Sequence, residues 1–294
     1  MVGVPVGCWP EGGFDSAVRA ELDACLCHRP ADAHPRWTLD RIIAECAACA
    51  DYSVGGCSRL LRRLGFRLRR GRPRLFSPDP AYAEKREQLL AALRAAAAAP
   101  GRRVVLFLDE CTYYHWPLAG RAWWRRRGPP PRAERAGRGE ITRRIVATLD
   151  VCSGRVLADQ HGHISTTVLL RFLARVAAAY PDAEHIAIVL DNWPVHRSPA
   201  VQAAVEAMGR VELLFLPTYA PWLNPIEKLW ALLKAEVLRL HPYAGRWTEL
   251  TTAVTRFLGR YAEPSPALLV ALGLRGTGAL AAALHPLTDL QGQT

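Results

Sequence analysis

Three short apolar runs constrain the fold of this chain most: Arg103 to Asp109 (RVVLFLD), His185 to Asp191 (HIAIVLD) and Val211 to Leu216 (VELLFL). Each has the length of a buried strand rather than of a helix. Arg143 to Asp150 and Arg155 to Gln160 read as two more strands, joined by a turn at Ser153-Gly154. Helical spacing fills the gaps between these runs. Ser165 to Ala179 turns Leu169, Phe172, Leu173 and Val176 to one side. Ser198 to Met208 is a second helical stretch, and Trp247 to Tyr261 is a last amphipathic one. Strand, strand, strand, helix, strand, helix, strand, helix predicts an α/β fold, a mixed sheet with helices packed against it. Sites in open α/β sheets lie outside the carboxyl ends of strands. Asp109 and Asp191 both finish apolar strands, so on adjacent strands the two carboxylates would meet there.

A third carboxylate follows the last run. Phe215 to Leu233 (FLPTYAPWLNPIEKLWALL) reads as a strand end, a proline-punctuated loop and a helix. Pro225 suits a first helical turn, and Asn224 can cap it. Ile226, Leu229, Trp230 and Leu233 form the apolar stripe of that helix, with Glu227 in its first turn. Glu227 would favour the helix dipole in any case. Convergence with Asp109 and Asp191 gives it a second role. Three carboxylates without basic partners among them repel unless a divalent cation joins them. Hard oxygen ligands suit Mg²⁺ or Mn²⁺. Two such ions about 3.5 to 4 Å apart serve phosphodiester chemistry. Asp150 also ends a strand but is expected to serve the hairpin turn, and Asp159 and Asp182 read as loop or surface acids.

The first hundred residues are helical in pattern. Phe14 to Cys27 and Trp37 to Ala50 read as two helices, the second capped by Thr38. A third runs to Leu64, with Gly65 placed as its stop. Two short helices around a tight turn, the second rich in arginine, outline a helix-turn-helix. Between Val54 and Leu75 stand eight arginines and no acid, so a phosphate backbone is the natural partner. Arg59, Arg62 and Arg63 on the helix are expected to meet phosphates. Arg70, Arg72 and Arg74 flank Gly71 and Pro73 in an extended segment suited to an A·T-rich minor groove. Gly55 and Gly56 weaken that helix and offer no side chain to read bases. A second basic stretch, Trp123-Trp124-Arg125-Arg126-Arg127, lies in a proline-rich loop from Trp116 to Gly139 and is expected to contact DNA or a partner subunit. Ala83 to Ala99 is an alanine-rich helix closed by Pro100-Gly101.

The formal net charge is +11, which favours a polyanionic partner. No apolar run reaches membrane-spanning length, and the N-terminus lacks the basic and apolar regions of a secretory signal. The expectation is a cytoplasmic protein working on the nucleoid. Cys25, Cys27, Cys46 and Cys49 raise the question of a zinc site, but Cys25 and Cys46 fall on apolar helix stripes, where cysteine acts as a small hydrophobe.

The acidic motifs carry a resemblance. Asp109-Glu110, Trp123 to Pro129, Leu190-Asp191-Asn192 with His196, and Leu216-Pro217 through Tyr219, Pro221, Leu223-Asn224-Pro225-Ile226-Glu227, Trp230 and Lys234 stand in that order. They resemble the DDE transposases of bacterial insertion sequences in the mariner superfamily, most of all the insertion-sequence-630 group. The 35 residues between Asp191 and Glu227 fit that family. The resemblance spans about Trp37 to Tyr261. It implies a ribonuclease-H-like mixed sheet preceded by a small all-α helix-turn-helix domain. It also implies Asp109, Asp191 and Glu227 as a catalytic, metal-binding triad holding Mg²⁺ or Mn²⁺ as two ions. Further implications are binding of double-stranded DNA at terminal inverted repeats, a homodimer on DNA, strand cleavage and transfer, and insertion at TA sites. Asn192 and His196 are candidates to orient substrate. The expected organisation is a DNA-binding region with basic linker over 1–76, N-terminally truncated relative to the family, and a helical linker over 77–101. A catalytic domain over 102–262 and a tail of unassigned role over 263–294 complete it. The alternative is an inert DNA-binding remnant or repressor of an insertion sequence.

Overall fold

A computed structural model describes residues 13–26, 37–68, 76–135, 139 and 141–274. The chain forms two compact units that divide after residue 74.

In the first unit, α1 (Gly13–Leu26), α2 (Leu39–Glu45) and α3 (Val54–Arg63) close around one small core. Val18, Leu22, Ile42, Cys46, Cys49, Cys57, Leu60, Leu61 and Leu64 are buried in it. Thr38 caps α2 through its hydroxyl, as its residue type predicts. The expected single helix over Trp37 to Ala50 is broken. Cys46 is extended (φ −103°, ψ 113°), and Ala47–Cys49 forms a 3₁₀ turn instead. The Glu21 carboxylate accepts the amide N–H of Ala48 at 2.9 Å, which satisfies a donor that the break frees. Gly65 stops the third helix at φ +91°. Gly56 has a packing reason: a Cβ there would stand 3.2 Å from the Tyr52 ring and 3.3 Å from Ser53 Oγ.

The second unit is built on a five-stranded sheet. Its strands are β1 (Arg103–Tyr114), β2 (Thr142–Asp150), β3 (Val156–His161), β4 (His185–Leu190) and β5 (Val211–Phe215), in spatial order β3-β2-β1-β4-β5. β1 runs antiparallel to β2 and parallel to β4, and β4 runs parallel to β5. Period-2 alternation sends side chains of β1 to two cores. Val104, Leu106 and Leu108 join the core covered by α5 (Thr166–Ala178) and α6 (Pro199–Met208). Val105, Phe107, Cys111 and Tyr113 join the core under α4 (Tyr82–Ala98), α7 (Ile226–Leu233), α8 (Trp247–Gly259) and α9 (Pro266–Ala271).

Three expectations change here. β1 does not end at Asp109 but continues to Tyr114, because β2 keeps pairing with it as far as Tyr114 opposite Thr142. Its parallel pairing with β4 stops at Phe107 opposite Val189. The helix expected within a linker over 77–101 is α4, and it buries Leu89, Leu93 and Ala96 against the sheet. The segment after residue 263, for which the sequence offers no role, contains α9. Leu268, Leu269, Leu272 and Leu274 complete the same core, and the Ser265 amide donates to the Ser153 carbonyl at 2.8 Å.

Candidate active site

Asp109 stands one step past the buried stretch of β1, where β4 no longer pairs with that strand. Asp191 is the first residue after β4. The two aspartates therefore stand at equivalent positions beyond the register pair Phe107 and Val189. By alternation, Asp109 faces the side of the sheet that α7 covers.

The loop before α7 is fixed by its own backbone chemistry. Asn224 Oδ1 accepts the Ile226 N–H at 3.4 Å, and its carbonyl accepts that of Glu227 at 3.3 Å. Ile226, Leu229, Trp230 and Leu233 bury into the core as their spacing predicts. Glu227 is left exposed in the first turn. Trp230 lies one turn further on the same side of the helix. Its indole N–H donates to Asp109 Oδ2 at 3.0 Å. Asp109 Oδ1 accepts the Glu110 N–H at 2.9 Å, so both carboxylate oxygens are oriented. Burial, then the negative charges of Glu227 and Glu110, push the Asp109 carboxyl up to about 7.

Asp191 is held from another side. Its Oδ1 accepts the Trp193 N–H at 2.9 Å and lies 3.0 Å from His196 Nδ1. The other ring nitrogen of His196, Nε2, stands 3.1 Å from Glu110 Oε1. Burial alone would pull this almost fully buried imidazole down. The hydrogen bonds and charges of Asp191 and Glu110 outweigh that and raise it to about 9. In return the imidazole lowers the Asp191 carboxyl. Asn192 donates from Nδ2 to the Leu216 carbonyl at 2.7 Å and accepts from Arg197, whose guanidinium lies over the Phe215 ring. It thus ties the end of β4 to the end of β5.

Glu110 and Trp230 make contacts that residue type and spacing do not assign. The signal for Trp230 is its distance of three residues from Glu227 on one helix. For Glu110 it is adjacency to Asp109 only. Asp150 is a turn residue, accepting from the Cys152 and Ser153 amides at 2.8 and 3.2 Å and from Ser153 Oγ at 2.6 Å. Among the described residues, no three His, Cys, Asp or Glu side chains stand close enough to hold one metal ion as placed. Cys25, Cys46, Cys49 and Cys57 are free thiols, and burial, reinforced by neighbouring thiols, raises Cys46 and Cys49 to about 12. Cys27 lies outside the described residues.

The basic candidates divide in the same way. Arg59, Arg62 and Arg63 are exposed on α3. Arg125, Arg126 and Arg127 are exposed on their loop beside a fully exposed Trp123. Arg70, Arg72 and Arg74 lie outside the described residues. A groove of about 660 Å³ between α4 and the β4–β5 edge contains none of the three acids, which instead stand within β1, just after β4 and in the first turn of α7. No described helix is long and apolar enough to cross a membrane.

A mixed sheet in this order, with acids just beyond the point where its two adjacent central strands stop pairing in parallel, is a ribonuclease-H-like core. The fold agrees with solved structures. The paired-end complex of Mos1 transposase with left transposon end superposes with a TM-score of 0.64, at 15% identity, over 96% of this chain and 82% of that one. A pre-cleavage Mos1 transpososome gives 0.65 at 15% identity, over 96% and 81%. The sequence pattern of the DDE superfamily endonucleases matches residues 104–250, and the chain belongs to that family. An uncharacterized 39 kDa protein of insertion element IS630 from Shigella sonnei is 27% identical over 237 residues, which is 79% of this chain and 67% of the relative. An uncharacterized protein, y4pE/y4sA, of Sinorhizobium fredii is 26% identical over 72 residues, covering 24% of this chain and 50% of that protein.

Proposed function

We propose that this chain is a Mg²⁺- or Mn²⁺-dependent transposase that cuts DNA at the ends of an insertion element and joins the freed 3′ ends to target DNA at TA sites. One observation carries the reading. Asp109 and Asp191 stand at equivalent positions just beyond the last register pair of the adjacent parallel strands β1 and β4, and Glu227 acts on Asp109 strongly enough to help raise its carboxyl.

The donor set fits hard divalent cations. All three acids offer oxygen, and the negative charge gathered around Asp109 is what a cation would neutralise. Solved Mos1 paired-end complexes carry Mg and Mn. Asp109, Asp191 and Glu227 would hold the ions here. Bound ions of this kind activate a nucleophile and stabilise a leaving oxygen in phosphodiester chemistry. Trp230 and the Glu110 amide set the plane of the Asp109 carboxylate. His196 holds Asp191 against Glu110, and Asn192 keeps the ends of β4 and β5 together. Both act on the protein's own groups, which favours a positioning role over direct contact with substrate.

Double-stranded DNA is the partner. Arg59, Arg62 and Arg63 would bind phosphates, Arg70, Arg72 and Arg74 would follow a minor groove, and Arg125 to Arg127 would meet DNA or a second copy of the chain. The working form in this reading is a homodimer on DNA in the bacterial cytoplasm; the paired-end complex of Mos1 transposase with left transposon end supports assembly on paired ends.

The test is cleavage of an end-labelled duplex that carries the element's terminal repeat and its flank, with and without Mg²⁺. The wild-type protein should cut only with the metal. Asp109→Asn, Asp191→Asn and Glu227→Gln should each cut at least about 1,000-fold more slowly while binding the duplex as before. Binding without cutting in either Mg²⁺ or Mn²⁺ would make the protein a DNA-binding remnant instead.

A further inference from the structure

Two residues other than glycine have a positive φ among the described residues, Tyr219 at 56° and Leu240 at 49°. A bulky side chain in this region is disfavoured, so each position calls for a compensating interaction. For Leu240 the compensation is local. Its amide donates to the Leu118 carbonyl at 2.9 Å, and the Leu118 amide donates to Leu238 at 2.8 Å. Tyr219 has no such return from packing, since it is 76% exposed. Glycine would adopt the same backbone without the cost.

The loop around Tyr219 is held on both sides. The Leu216 amide donates to Leu190 at 2.8 Å, and its carbonyl accepts from Asn192. The Thr218 amide donates to Asp79 Oδ2 at 2.9 Å, and its carbonyl accepts from the Ser77 hydroxyl at 2.5 Å. Lys85 in turn holds Asp79 at 2.7 Å. Beyond Tyr219, Ala220 and Leu223 are buried, and the Trp222 indole donates to Tyr82 Oη at 3.3 Å. An exposed aromatic ring is therefore presented from a fixed backbone. It lies on the segment that leaves β5, beside the β4 end that carries Asp191, and runs into the helix that carries Glu227.

We infer that Tyr219 is a stacking platform for one unpaired nucleobase of the DNA strand held at the triad. The inference rests on the DNA-cutting reading above and adds a ligand contact to it. A flat ring on a pre-set backbone loses little freedom on stacking, and any base can offer a face to it. Retaining tyrosine where glycine would be relaxed has a physical reason if the ring is used in the complex.

A double-mutant cycle tests this in a Glu227→Gln background without metal, so that binding is read apart from cutting. The probes are end duplexes carrying a single abasic site, moved one nucleotide at a time across the cleavage position. Tyr219→Ala should weaken the intact duplex by about tenfold, and one abasic position should weaken the Tyr219 protein by a similar factor. Combining the two should cost no more than either alone. Tyr219→Phe should bind as tyrosine does. Tyr219→Gly should bind as alanine does while melting at or above the temperature of the parent, which separates loss of stacking from loss of folding. Additive effects at every abasic position, or equal binding by Tyr219→Ala and the parent, would overturn the platform. Failure of the parent to bind any end duplex would instead count against the DNA-cutting reading.

Discussion

The Trp230 indole N–H and Asp109 Oδ2 meet at 3.0 Å across 121 positions of sequence. The contact couples the helix of Glu227 to the strand of Asp109, because Trp230 is 2% exposed and its ring is fixed in the core. A hydrogen bond to a charged group is stronger than one between neutral groups. Trp230→Phe keeps an aromatic ring in the core and removes only the N–H and part of the volume. Cleavage should slow by roughly 10- to 100-fold, with affinity for the end duplex unchanged. Equal cleavage rates in single-turnover assays would mean that Asp109 needs no such orientation.

Metal dependence should follow pH through Asp109. Its carboxyl sits at about 7, so it is mostly protonated below that value and mostly ionised above it. A metal must displace that proton, so the Mg²⁺ concentration giving half-maximal cleavage should rise as pH falls from 8 to 6, by about tenfold per unit below 7. Stability without metal should run the other way. An acid with a raised folded value binds more protons in the folded state between its ordinary range and about 7, and stability falls as pH rises through that window. Metal-free Asp109→Asn should therefore melt higher than wild type at pH 8 and much as wild type at pH 4. A higher melting temperature for wild type at pH 8 would contradict the charge crowding.

The arginine loop should matter for assembly and not for folding. Arg125, Arg126 and Arg127 are exposed, so replacing all three by Ala leaves the core untouched. Complexes of two DNA ends should weaken in mobility-shift gels. The slope of log affinity against log salt should drop by about one for each phosphate that no longer meets an arginine. An unchanged slope together with unchanged assembly would make the loop a plain solvated segment.

Gly154 fixes the hairpin between β2 and β3 against the segment that leads into α9. Its φ is +75°, and a Cβ there would lie 2.3 Å from the Ser265 carbonyl oxygen. Gly154→Ala should cost roughly 3 kcal/mol through strain and a backbone clash, read as a lower melting temperature. Gly209→Ala, also at positive φ but with nothing within 4 Å of the added Cβ, is the control for backbone strain alone and should cost less. Equal losses at the two sites would show that the contact with Ser265 is not tight.

Elements with local signals were legible in the order of residues alone. Apolar runs of strand length, the stripe Ile226, Leu229, Trp230 and Leu233, the cap at Thr38 and the stop at Gly65 all follow from periodicity and residue chemistry within a few positions. Order along the chain also predicted a mixed sheet with helices on it, and the sheet has that form. Features that depend on pairing between distant segments emerged only in the folded chain. β1 runs on past Asp109 because β2 pairs with it there, and nothing in DECTYY taken alone states that partner. The α4 helix and the α9 segment belong to the core because their leucines meet side chains from strands far away in sequence. Most of all, the fold decided the partners: Glu110 meets His196, His196 meets Asp191 and Trp230 meets Asp109 once β1, the loop after β4 and α7 come together, since a residue's type records which contacts it can make and not which partner the fold brings to it.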